Sequence, residues 1–216
     1  FRPYDVAVDA EGYIYVADIN HRIQKFDSEG TFLAKWGSKG TGDGEFESPT
    51  GVAVDAEGNI YVADQLNDRI QKFDSKGVFL TKWGSNGGGE GQFYWPSDMA
   101  VDAMGDIYVV ELFNQRIQKF TSEGVFIAIW DSRGSGDGQF QTPGGVAADA
   151  KGNIYVTDSN RVQKLTSEGA FIAKWGSSGA GAGQFNGLFG ITLDGLGNVY
   201  VTELTSHRIQ KFEHFD

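Results

Sequence analysis

Residues 55–74 read DAEGNIYVADQLNDRIQKFD, residues 79–85 read FLTKWGS, and a glycine-rich stretch then closes on GQF at Phe93. The same unit recurs along the whole chain. Its closing Phe falls at Phe46, Phe93, Phe140 and Phe185, spaced 47, 47 and 45 residues apart. Self-similarity at a fixed period of this size marks one supersecondary element copied several times.

Every apolar segment inside the unit is short. Residues 51–54 form an apolar run ahead of a DAEG turn. Residues 59–63 (NIYVA) are β-branched and aromatic, as a buried strand requires, and a polar break follows at 64–68. Residues 69–73 (RIQKF) predict a third strand, 74–77 (DSKG) a turn with Gly77 free to take φ > 0, and 78–83 (VFLTKW) a fourth strand. No segment sustains a 3.6-residue period over ten residues. Four short strands per copy predict the blade of a β-propeller; leucine-rich and parallel β-helix solenoids have shorter repeats without four strands. The expected fold is therefore all-β: one domain over 1–216, with repeats at about 1–46, 47–93, 94–140 and 141–185 and an incomplete fifth at 186–216.

The segments DAEGNIYVADQLNDRIQKFD, FLTKWGS and the glycine-rich run ending QF resemble the NHL-repeat family of β-propellers over nearly the whole chain. The resemblance implies that 51–54 is the innermost strand, lining a central channel, and 78–83 the outermost. Propellers of that family commonly have six blades, whereas this chain holds four full units and a fifth that stops at 208–212 (RIQKF) without its outer strand. A five-unit ring, one blade a strand short, is the expectation. The alternative is part of a six-bladed ring whose exposed edges pair with another copy.

Composition narrows the partners. Net charge is −11, from 29 acidic and 18 basic residues, with no basic patch, so nucleic acid is not expected as a partner. No apolar run approaches the length of a membrane span, and no signal-peptide pattern opens the chain. Cysteine is absent, which removes disulfides and thiol chemistry. The first residue is Phe rather than Met, which fits a piece of a larger protein. The compartment stays open, with a lean toward an extracytoplasmic, soluble location.

Repetition also serves as an internal control. Asp18 precedes Arg22, Asp64 precedes Arg69, Glu111 precedes Arg116, Asp158 precedes Arg161 and Glu203 precedes Arg208. Each acid is expected to end a second strand and each Arg to open a third, forming a charge-assisted pair. Recurrence in every unit makes these pairs scaffold rather than catalyst. The turn residues Asp9, Asp55, Asp102, Asp149 and Asp194 and the row Trp36, Trp83, Trp130 and Trp175 read the same way. The glycine runs lack the Lys-Ser/Thr ending of a phosphate-binding loop and are expected to be flexible connections between blades.

Residues that break the repeat are the candidates for a site. Trp95 stands where other units have Ser48 and Thr142, and Tyr94 where they have Glu47 and Gln141. Phe113 replaces Leu66 in the loop after the second strand. Tyr4 and Phe189 replace Thr50, Ser97 and Gly144, and Asp5 and Asp98 replace Gly51, Gly145 and Gly190. In an up-and-down meander all these positions lie at one end of the blades, so Tyr4, Asp5, Tyr94, Trp95, Asp98, Phe113 and Phe189 are expected around the channel mouth. Aromatics with two carboxylates suit a sugar, a peptide or a cationic ligand.

The expected function is a non-enzymatic binding scaffold for a protein, peptide or carbohydrate, with self-association through the incomplete fifth blade as a further expectation. One alternative is a metal-dependent hydrolase or lyase using Asp5 and Asp98. Another is a sensor or extracellular fragment of a multidomain protein. No cofactor is expected under the leading reading, while Ca or Zn in the channel belongs to the enzyme alternative. The scattered His21, His207 and His214 do not form a metal-site pattern.

Overall fold

The computed structural model describes residues 2–213. His214 therefore lies outside the described residues. The first blade comprises β1 (Pro3–Val8), β2 (Ile14–Asp18), β3 (Arg22–Phe26) and β4 (Phe32–Trp36). The second comprises β5 (Pro49–Val54), β6 (Ile60–Asp64), β7 (Arg69–Phe73) and β8 (Phe79–Trp83). The third comprises β9 (Pro96–Val101), β10 (Ile107–Glu111), β11 (Arg116–Phe120) and β12 (Phe126–Trp130). The fourth comprises β13 (Pro143–Ala148), β14 (Ile154–Asp158), β15 (Arg161–Leu165) and β16 (Phe171–Trp175). The fifth has three strands, β17 (Leu188–Leu193), β18 (Val199–Glu203) and β19 (Arg208–Phe212). Each blade is an antiparallel meander in chain order, so the all-β propeller of four-stranded blades with a three-stranded last blade stands.

Alternation along the strands gives each blade two apolar faces, and each blade packs on the next in chain order. Between blades two and three, Tyr61, Ala63 and Ile70 of one face pack with Met99, Ile107, Val109 and Phe120 of the other, with Phe93 between them. Phe93 and Phe120 rings lie 5.5 Å apart, and Trp83 reaches Phe120 at 6.0 Å. Both Phe rings are fully buried, each contributing about 1.5–3 kcal/mol. The Trp row is thus inter-blade packing. Trp83 also lies under the second turn of the next blade, where Gly124 has φ +80° and a Cβ would fall 2.5 Å from the indole. Gly105 has φ +83° but open space around it. We expect Gly124→Ala to cost about 2–3 kcal/mol in a denaturant titration and Gly105→Ala about 1–2, the left-handed backbone penalty alone.

The expected closed five-unit ring is not what the chain forms. Four cores join five blades, and among the described residues no fifth core joins the last blade to the first. Val6 is 58% exposed where its counterpart Val52 is 3% exposed, and Ile209 is 68% exposed where Ile70 is fully buried. Four interfaces join the five blades in order and leave a cleft between the last blade and the first. The facing walls of that cleft carry Val6 on the first blade and Thr202 and Ile209 on the last, all of them exposed.

The glycine runs are not slack. Phe46 N–H donates to Ser38 O at 2.8 Å, and the same bond recurs at Phe93, Phe140 and Phe185. Each loop is further pinned by the next blade's Arg, as described below. Among the described residues no helix is long and apolar enough to cross a membrane.

Candidate functional site

Each second strand ends on its acid, which sits directly opposite the Arg that opens the third strand. In blade three, Arg116 Nε donates to Glu111 at 2.5 Å, while its other nitrogens donate to the carbonyls of Gly88, Gly89 and Gln92 at 2.6, 3.2 and 2.7 Å. Gln118 donates to the same Glu111 and to Gln92 O, and accepts from Gly91 N–H. One guanidinium thus fixes a hairpin and the long loop entering its own blade. Arg69, Arg161 and Arg208 repeat the pattern. The acid–Arg pair forms in every blade. The turn acids are scaffold too: Asp55 accepts from Asn59 N–H and from the Tyr61 hydroxyl at 2.7 and 2.8 Å.

The repeat-breaking residues divide into two groups at the same end of the blades. Tyr4, Asp5, Asp98 and Phe189 line a cavity of about 210 Å³, with Val6, Thr50, Ser97, Gly144, Gly190 and Thr202. The lining comes from all five blades, so the cavity lies at the centre where their inner strands converge, and the cleft between Val6 and Thr202 opens into it. Tyr94, Trp95 and Phe113 are not in its lining. They form an exposed triad on the rim of blade three, with ring centroids 6.0, 5.7 and 5.0 Å apart and exposures of 43, 36 and 52%. Trp95 lies two residues before Ser97, roughly 7 Å of extended chain from the cavity wall.

The two channel acids have backbone duties. Asp5 accepts from Val52 N–H at 2.8 Å, and Asp98 from Val146 N–H at 2.9 Å and its neighbour Met99 N–H at 2.8 Å. Each acid thereby bridges its inner strand to the next. The Asp–Gly alternation has a steric cause: a Cβ on Gly145 would meet Asp98 Oδ2 at 3.2 Å and Phe189 O at 2.6 Å. No cation faces them among the described contacts. Burial raises the Asp5 carboxyl from 3.8 to about 6. Burial first, and the Asp5 charge second, hold the Asp98 carboxyl well above the usual carboxylate range. Both carboxyls therefore hold their protons more tightly than an exposed Asp does.

Trp95 is a backbone outlier, with φ +56° where Ser48 has +60° and Gly187 has +73°. A bulky residue there is held by a bond from its N–H to Asp68 Oδ1 at 2.9 Å, while Asn86 donates to Oδ2 of the same carboxylate. The sequence reading missed Asp68. Its signal was present: immediately before the Arg the other blades carry His21, Gln115, Asn160 and His207, so Asp68 is the one acid in the set. His21 has a structural task, its Nδ1 accepting from Ser48 N–H at 3.2 Å. Among the described residues no three His, Asp or Glu side chains converge as a metal site.

Three comparisons place this geometry among known proteins. The NHL repeat profile matches residues 46–73, 93–120 and 140–163. No curated protein matches the chain by sequence. Among solved structures, virginiamycin B lyase from Staphylococcus aureus is similar over 98% of this chain and 69% of its own, at 16% identity and TM-score 0.68. A nidogen/laminin complex contains a chain that is similar over 98% of this chain and 75% of its own, at 17% identity and TM-score 0.71. A streptogramin B lyase gives 99%, 69%, 18% and 0.68. At these identities the likeness is one of fold.

Proposed function

This chain is an NHL-repeat β-propeller, and we propose that it is a non-catalytic binding module whose protein, peptide or carbohydrate partner seats on the Tyr94–Trp95–Phe113 rim. The observation that carries the proposal is the triad itself. Three aromatic rings touch one another in solvent at positions where the other blades carry mostly small or polar residues, and one is held on strained backbone to stay there. Exposed aromatics of this kind give large contact area at small entropic cost. The fold serves both a lyase and a member of a nidogen/laminin complex, so fold alone does not choose.

The test is a peptide and glycan array probed with wild-type chain, Trp95→Ala and Met104→Ala. Met104 is 86% exposed on a turn at the far end of its blade and serves as the control. Signals weakened at least tenfold by Trp95→Ala and unchanged by Met104→Ala are expected. Signals that survive Trp95→Ala sink the assignment.

A second reading, a lyase or hydrolase, has one observation in its favour: Asp5 and Asp98 share a cavity and hold a proton more tightly than ordinary carboxylates. Both oxygens that would do the chemistry already accept backbone N–H bonds, which weighs against it. Under that reading a metal alone, Ca or Zn, should bind at one per chain and lose affinity in Asp98→Asn.

A further inference from the structure

The sequence holds two Asn-Gly pairs, Asn86–Gly87 and Asn186–Gly187. An Asn side chain is open to attack by the amide nitrogen of the next residue, and a following Gly, with no Cβ, leaves that nitrogen room to approach. The reaction needs a free carboxamide and a backbone N–H that no hydrogen bond holds. The fold gives the two pairs opposite surroundings. Asn86 Nδ2 donates to Asp68 Oδ2 at 2.9 Å, and Gly87 N–H donates to Phe93 O at 2.9 Å. Both reacting groups of the first pair are therefore tied.

Asn186 and Gly187 lead into β17, at the positions that Tyr94 and Trp95 hold before β9. In the second to fifth blades the first of these two residues donates its N–H to the acid of the second strand, Asn186 to Glu203 Oε2 at 2.8 Å. The second residue's N–H is held as well in three of them: Ser48 by His21 Nδ1, Trp95 by Asp68 Oδ1 and Thr142 by Asp158 Oδ1. Gly187 N–H has no acceptor among the described residues. The preceding blade supplies the reason. His21 and Asp68 stand just before the Arg, in loops that span four and five residues from acid to Arg, whereas in blade four that span is three and the residue is Asn160. Asn186 is exposed, and its carboxamide has no partner among the described residues. That exposure is not owed to the open side of the last blade. The counterparts Tyr94 and Gln141 are exposed on blades packed on both sides.

We propose that Asn186 is a self-modification site, at which the Gly187 amide nitrogen closes on the carboxamide and water then yields aspartate or isoaspartate, while the fold keeps Asn86 inert. Base in the solvent takes the Gly187 amide proton, and the nitrogen bonds to Asn186 Cγ. The Cγ–Nδ2 bond breaks, and Nδ2 leaves as ammonia with a proton from water. A second water opens the succinimide ring at either carbonyl. The sum is carboxamide plus water giving carboxylate plus ammonia, with no oxidant and no second enzyme. A neutral residue thereby becomes an acid next to Glu203, whose carboxylate already pairs with Arg208. The isoaspartate form also lengthens the main chain by a methylene. It does so between fully buried Phe185 and Gly187, whose carbonyl accepts Leu204 N–H at 2.8 Å. The proposal is independent of the rim triad.

The experiment ages the whole chain in mildly alkaline buffer, with and without guanidinium chloride, and maps both sites by tryptic digestion and fragmentation mass spectrometry. Asn186 falls in the tryptic peptide 175–208 and Asn86 in 83–116. In the folded chain Asn186 is expected to convert at least tenfold faster than Asn86, since protected groups react only through local opening. In denaturant Asn86 should accelerate at least tenfold and the two rates should converge, because the bonds to Asp68 and Phe93 are lost. On ion exchange, aged wild type should accumulate an acidic species that aged Asn186→Gln does not. Equal rates in the folded chain, or a ratio that denaturant leaves unchanged, would overturn the proposal. So would an acidic species that forms just as fast in Asn186→Gln.

Discussion

Arg116→Ala is expected to destabilise the chain by about 3–5 kcal/mol, the loss seen when one partner of a buried ion pair is removed. The Arg116 side chain is 4% exposed and Glu111 is fully buried. Truncation leaves the Glu111 carboxylate with Gln118, Asn114 and Tyr94 N–H but no cation, and strips three carbonyls of the preceding loop of their donor. The repeats supply the control series. Side-chain exposure of the Arg rises from 4% at Arg116 through 8% at Arg69, 13% at Arg161 and 19% at Arg22 to 29% at Arg208. The cost of Arg→Ala should fall in that order as water replaces more of the lost bonds. The acids show the same balance. Burial holds Asp64 above its usual carboxylate range despite Arg69. At Glu203 burial also pushes up, but bonds from Arg208 and Asn186 N–H outweigh it and bring the carboxyl down to about 2. Urea titrations of the five variants check the ranking; equal costs across the series would contradict it.

Neutralising the channel acids should do the opposite and stabilise the chain above pH 6. An unfolded Asp titrates near 3.9, whereas folded Asp5 titrates at about 6. A raised carboxyl binds its proton more tightly in the folded state. Its contribution is therefore fully present below about pH 4 and is lost as pH rises through about 6. A displacement from 3.8 to about 6 corresponds to at most about 3 kcal/mol lost over that window. Asp98 shifts in the same direction. Asp5→Asn and Asp98→Asn keep an acceptor for Val52 and Val146 N–H while removing the charge. Asp5→Asn should exceed wild type by about 1–3 kcal/mol at pH 8, Asp98→Asn should exceed it as well, and both should converge with it near pH 4. A difference independent of pH would show that the acids do not titrate as described.

Much of the fold was legible because the chain repeats its own evidence. The third strand was read at 69–73 and is found there, since RIQKF is bounded by a polar break and a DSKG turn. The second and fourth strands each start one residue later than read, and the first strand starts two residues earlier, because Pro49 is tolerated at a strand's first position. The short 3₁₀ turn Gln65–Asn67 carries no apolar signal and was read only as a loop. Closure was not legible. It depends on an inter-blade wedge angle, and each interface is built from residues about 47 positions apart. Sequence separation likewise hid the tasks of Arg69 on the 41–45 loop, 24–28 residues away, and of Asp98 on Val146, 48 residues away.

The candidate site was legible as a set of exceptions, and the structure divides that set. Tyr4, Asp5, Asp98 and Phe189 share the central cavity, and all but Asp98 stand on the two blades that border the cleft. Tyr94, Trp95 and Phe113 stand apart on a fully packed blade, so nothing missing explains them. That distinction makes the triad the sharper candidate, and Asp68, which the sequence reading passed over, its anchor.

The most direct measurement pairs binding with stability for a Tyr94→Ala/Trp95→Ala/Phe113→Ala triple variant, using ligands returned by the array. The three rings are exposed, so a melting temperature within about 2 °C of wild type is expected, with affinity reduced at least tenfold. A triple variant that binds as wild type does would contradict the claim that the residues breaking the repeat carry the function. A variant that unfolds instead would return the triad to the scaffold.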